Sequence, residues 1–196
     1  MALLRKKTDK KTNTKLSSAS IITSCTKVEG NFKGGDTIHI DGHVVGNIVV
    51  SNTIVIGKSG VVEGNIEAKH VIINGELKGS VKCDTLEVLA SGKVSKYIEG
   101  KALILEGEIT GDITGYESIN VLEHSNIHAI CIKSKKITVA GKVQGTVLAS
   151  ELLDITDKGF VEGQISAKSI KTAEGGRMVG TMSTYEEEEI TKNKNK

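Results

Sequence analysis

Apolar and polar residues alternate in short bursts along this chain, and the bursts recur. One recurring unit is aliphatic-x-Gly-x-aliphatic. It appears as Val28-x-Gly30-x-Phe32, Val44-x-Gly46-x-Ile48, Val62-x-Gly64-x-Ile66, Leu77-x-Gly79-x-Val81 and Ile109-x-Gly111-x-Ile113. It returns as Val143-x-Gly145-x-Val147, Val161-x-Gly163-x-Ile165 and Met178-x-Gly180-x-Met182. Two degenerate copies, Val94-x-Lys96-x-Ile98 and Ile127-x-Ala129-x-Cys131, fill the gaps. A second unit, aliphatic-x-aliphatic, keeps step with the first. It runs through Ile38/Ile40, Ile54/Ile56, Val71/Ile73, Leu86/Val88, Leu103/Leu105, Ile119/Val121, Ile137/Val139 and Leu153/Ile155, with a faint last copy at Ile170. Both units repeat every 15 to 18 residues.

Alternation of period two places the aliphatics on one face of short strands, and no long stripe of period 3.6 competes with it. About 17 residues leave room for three short strands and three corners. The corners are supplied by Gly, Asn, Asp, Ser and Lys, as at Gly57 to Gly60 and Ala90 to Lys93. A unit of this size cannot bury its own apolar face, so neighbours must stack to share one core. The pattern predicts an all-β, single-stranded parallel β-helix. Ten turns spaced about 4.8 Å apart make a rod of about 45 to 50 Å. The marker glycines are expected to line one corner, where the interior narrows or the backbone needs an unusual φ. Lys96 interrupts that line, and the expectation there is a bulge or a side chain turned to water.

Composition agrees. The 196 residues hold 22 Gly and no Pro, as suits strands whose N–H groups nearly all bond to an adjacent turn. Aromatics are 3%, too few for a base-stacking platform. The net charge of +2 is uneven. Residues 1 to 16 carry six Lys or Arg against Asp9, the end carries Glu186 to Glu189 and then three Lys, and the body between is near neutral. Nucleic acid is therefore not an expected partner. Three Cys without paired spacing, and no secretory segment behind the first basic residues, point to a reducing, cytoplasmic setting. The expected limits are a basic tail over 1–19, the β-helix over 20–183 and a charged tail over 184–196.

Candidate chemistry is sparse. His39 and His43 are four apart, as are His124 and His128, with Cys131 three further. On an extended strand, residues 124 and 128 lie roughly 13 Å apart, too far for one metal. Cys25, Cys83 and Cys131 read as small hydrophobes or solvated thiols. No phosphate-binding, dinucleotide or nucleophile-elbow motif occurs. No catalytic residue, metal site or cofactor is expected. The enzymatic alternative is a left-handed hexapeptide-type acyltransferase, but its six-residue series fails at Asn74 and Ser80 after Val62 and Ala68, and at Lys78 after Ile66 and Ile72.

The segments Ile40 to Ile48, Ile56 to Ile66 and Val71 to Gly79 resemble the bactofilins, bacterial cytoskeletal proteins that polymerise without nucleotide. The likeness covers about residues 20 to 183 and is strongest over 28 to 115. It implies a right-handed triangular β-helix, end-to-end filaments, and scaffolding of cell-shape, envelope or cell-wall client proteins. The repeat region is longer than in a typical member and irregular around Asn126 to Lys136. Some bactofilins also use a short N-terminal tail to sit on the inner membrane face. The tail here resembles those through Leu3, Leu4, Arg5, Lys6 and Lys7.

Polymerisation follows independently from the ends. A β-helix terminates in open strand edges over an exposed core, which proteins usually cover. Neither the Lys- and Thr-rich start nor the Glu- and Lys-rich finish supplies an amphipathic cap. Uncovered ends invite another copy and generate an open filament. Phe32 and Phe160 are the expected end-face anchors, with Ile21, Ile22, Met178 and Met182 beside them.

Overall fold

A computed structural model describes residues 19–185, and these form twenty strands without a helix. Every strand pairing is parallel and joins one turn to the next. The chain thus climbs as a coil of ten turns with three faces. The first face stacks Ala19–Ile22 under Thr37–Ile40, then Thr53–Ile56, and continues to Ile170–Thr172. The second stacks Lys27–Glu29, His43–Val45, Val61–Glu63 and their successors. The third begins with Phe32–Gly34 and Ile48–Val50.

Each turn sends about five side chains inward. In the second turn these are Ile38, Ile40, Val44, Ile48 and Val50, all at most 3% exposed. Equivalent residues one turn up lie directly above them, so the aliphatics form continuous axial columns. Full burial of each such side chain is worth about 1.5–3 kcal/mol, which one isolated turn could not collect.

The marker glycines do stack along one corner, between the second and third faces. Gly30, Gly46, Gly64, Gly111, Gly145, Gly163 and Gly180 all have positive φ. Gly79 keeps its place in the column without one. The reason for glycine is axial as well as conformational. A Cβ on Gly46 would strike the carbonyl of Gly30, and one on Gly163 that of Gly145. Lys96 takes the same corner with φ 113° and an exposed side chain.

The sequence reading missed a second glycine column. Gly42, Gly60, Gly75, Gly92 and Gly107, then Gly141 and Gly159, are buried at the corner between the first and second faces. A Cβ on Gly75 would meet the carbonyl of Gly60. That carbonyl accepts from the Glu76 N–H at 2.9 Å, so the column is also a hydrogen-bond ladder. Ser125 takes the corner once, its hydroxyl donating to the Leu122 carbonyl at 2.6 Å.

The strands are not uniformly short. Ile66–Ile73, Val81–Val88 and Ile98–Leu105 run unbroken round the third corner, where a single residue turns the chain. The irregular stretch forms one 14-residue strand, Asn126–Val139. Its register against Lys142–Ile155 slips between Ala129 and Cys131, leaving Ile130 as an extra residue, and slips again between Ser134 and Lys136.

Gly163→Ala is expected to lower stability by about 2–4 kcal/mol, from a strained φ and a backbone collision together. Lys96→Gly should raise it by about 1 kcal/mol, because relief of 1–3 kcal/mol of strain exceeds the cost of a freer unfolded chain. Urea unfolding midpoints at constant m-value measure both.

Candidate polymerisation interface

The two ends of the coil are built from the same residues as its middle, but they lack a neighbour on one side. Among the described residues, Lys27–Glu29 and Phe32–Gly34 pair only with the turn above. Arg177–Thr184 pairs only with the turn below. Each end therefore presents strand edges around the last apolar layer.

At the N-terminal end that layer is Ile22, Val28 and Phe32, which are half-buried and packed against the core. At the C-terminal end it is Ile170, Met178 and Met182. The first two are half-buried, while Met182 is 58% exposed. Val28 and Ile170, which belong to the two repeat markers, are not among the expected end-face residues, although the period-two alternation already places them inward.

Two of the expected anchors lie elsewhere. Ile21 occupies the first turn but points outward, 67% exposed, in register with His39. Phe160 is neither an end-face residue nor a core residue. It sits on the flank of the ninth turn in register with Lys142 and Arg177, and both cations lie 6.0 Å from its ring centroid. The cause is parity: Val161 points inward, so Phe160 must point outward. The tail residues Leu3, Leu4, Arg5, Lys6 and Lys7 lie outside the described residues.

An asparagine ladder climbs from the N-terminal end beside the first glycine column. The Asn47 N–H donates to the Asn31 side-chain oxygen at 2.9 Å, and the Asn65 N–H does the same to Asn47. The Ser80 N–H donates to Asn65 at 3.2 Å, and after a break the Cys131 N–H donates to the Asp112 carboxylate at 3.1 Å. These bonds occupy corner amides that strand pairing leaves over. The Asn that follows Gly30, Gly46 and Gly64, and the Asp that follows Gly111, are the sequence signal for them.

The flanks carry cross-turn ion pairs such as Lys93–Glu108 at 2.9 Å, Lys101–Asp84 at 2.8 Å and Lys158–Glu123 at 2.8 Å. A hydrogen bond from the Lys101 ammonium, reinforced by its charge, holds the Asp84 carboxyl below its usual range. Exposed pairs of this kind add little stability, but they penalise slipped registers that would set like charges together.

No group of three or more His, Cys, Asp or Glu arranged to hold a metal ion occurs among the described residues. Burial, then the nearby Asp84, pushes the Cys83 thiol up to about 12. Burial, then Asp112, also raises Cys131. Cys25 stands exposed in the corner of the first turn.

One family model, described as Bactofilin: Polymer-forming cytoskeletal, matches the chain twice, over residues 20–106 and 96–183. No curated protein matches the chain, and no solved structure does.

With a disulfide-exchange reagent at pH 8, Cys25 should react promptly. Cys83 should lag a model thiol by about a thousandfold, from its thiolate fraction alone. Mass spectrometry of the labelled native protein reads the order, and denaturant should abolish the difference.

Proposed function

We propose that this chain, which belongs to the bactofilin family, is a non-enzymatic scaffold subunit whose open ends stack into nucleotide-independent filaments. The family is one of polymer-forming cytoskeletal proteins. The observation that carries the end-to-end reading is the pair of apolar layers left uncovered among the described residues, Ile22, Val28 and Phe32 at one end and Ile170, Met178 and Met182 at the other. A second copy set on either end continues the core columns and pairs the free strand edges. Each added edge hydrogen bond contributes about 0.5–1.5 kcal/mol net. Each end-face side chain gains on the order of 1 kcal/mol by completing its burial. Among the described residues the lateral surface has no free strand edge to pair, so growth by strand addition proceeds along the axis. In the cell, such filaments would organise cell-shape, envelope or cell-wall proteins.

The N-terminal tail supplies a route to the inner membrane face. Leu3 and Leu4 suit shallow insertion, and each of Arg5, Lys6 and Lys7 adds about 1 kcal/mol near an anionic surface. One tail binds weakly, since lasting attachment takes more than one such signal. A filament displays many tails, and linkage multiplies their affinity by orders of magnitude.

Phe32→Arg and Met182→Arg should each raise the assembly threshold at least tenfold while leaving the β circular dichroism intact. Phe160→Arg, on the flank, should leave assembly unchanged. Pelleting and electron microscopy in nucleotide-free buffer decide this. A wild-type protein that stays monomeric at about 100 μM and physiological salt would overturn the filament reading.

Deleting residues 1 to 7 should abolish co-sedimentation with anionic liposomes and spare the filaments. Binding should fade as salt rises, and an assembly-blocked variant should bind at least tenfold more weakly. Equal liposome binding by the intact and truncated chains would refute the tail's role.

A further inference from the structure

The marker-glycine corner departs from glycine at only two of its ten positions, and both departures expose large side chains on the same edge. At the fifth turn Lys96 replaces glycine and Tyr97, 37% exposed, replaces asparagine. At the seventh turn Ala129 replaces glycine, and the bulge beside it turns Ile130 out to 82% exposure. The extra residue re-aims Ile130 outward, as bulges commonly do. The third face beside this edge carries Glu99, Thr114 and Lys133 in successive turns, in register with one another. Tyr116, 52% exposed, closes its far side and donates to Glu99 at 2.6 Å.

We propose that this mid-rod face pairs with a second copy of the same chain, rod against antiparallel rod, about a two-fold axis through the sixth turn. Three observations select that partner and geometry. First, the axis sets Tyr97 against Ile130 of the second copy and Glu99 against its Lys133, each contact occurring twice, as an isologous interface requires. Second, a parallel pairing would set the outward row of this face against itself, Lys82 on Lys82 and Glu99 on Glu99, whereas the antiparallel one about turn six makes no like-charge pair in that row. Third, the sixth of ten turns is nearly central, so both ends of each rod stay free and almost level with the other's.

Asp112 lies on the axis, but it is drawn back against its own rod by the Cys131 N–H. Lys101 and Lys135 would approach their counterparts along the far corner. Packed β-faces cross at about 30°, which confines contact to turns five to seven and lets that corner diverge. Tyrosine anchors beside an aliphatic one match the usual composition of an interface centre. The pairing is separate from end-to-end growth and would join filaments side by side.

The test uses the full chain with Cys25→Ser and Cys131→Ser, adding Tyr97→Cys and Ile130→Cys together or singly, and a short bismaleimide. The double variant should give a covalent dimer at least tenfold more abundantly than either single variant, and no longer ladder, because both links join the same two chains. In a Phe32→Arg background, Ile130→Asp should convert dimers to monomers in analytical ultracentrifugation. Lys133→Glu should also weaken the dimer, and adding Glu99→Lys should restore it. Equal crosslinking by single and double variants, or a dimer indifferent to Ile130→Asp, overturns the proposal. Crosslinking reads the lateral contact whether or not the ends polymerise, so failure of one reading leaves the other measurable.

Discussion

The structure depends on how closely one turn can lie on the next at its corners. Strand pairing sets an axial rise of about 4.8 Å, and at two of the three corners the backbone carbonyl of the turn below occupies the space a Cβ would need. Gly46 above Gly30 and Gly75 above Gly60 show the same collision at different corners. With glycine there, the carbonyls carry the ladder upward and the aliphatic columns stay in register. The core and the flank ion pairs follow from that spacing.

The same regularity leaves the ends unresolved chemically. Every interior turn satisfies its neighbours on both sides, so the first and last turns repeat the pattern with one side missing. Ile22, Val28 and Phe32 are good core residues with no turn beneath them among the described residues. Met178 and Met182 stand likewise in the last described turn. The described turns end without an altered one and leave an apolar layer at each end, and the end-to-end proposal for this member of a polymer-forming family rests on those layers.

Departures from the repeat have a different character from the repeat itself. Lys96 with its positive φ and the bulge at Ile130 both give up local stability. Local rules are broken in folded proteins mostly where another demand outweighs them, and here both breaks load one edge near the middle of the rod. These breaks stand apart from the two end layers, so the proposed lateral contact and the proposed end contacts use separate surfaces.

Much of this was legible in the residues. Period-two alternation and a spacing of 15 to 18 residues determine a stacked β-coil and its inward side chains, because burial on a pleated strand leaves no other parity. That parity also assigns Phe160 and Ile21 to the outside, whereas their positions near the last and first repeats suggest the end faces. The glycines at 42, 60, 75 and 92 repeat as regularly as those at 30, 46 and 64, but they look like ordinary turn residues until the carbonyl beneath each is seen. Only the tertiary structure decided which residue of Ala129 to Cys131 is the extra one, which lysine meets which carboxylate, and that Tyr97 and Ile130 share an edge. Those facts depend on register between turns, and corners of unequal length shift that register by one to three residues in ways that composition and spacing along the chain do not specify.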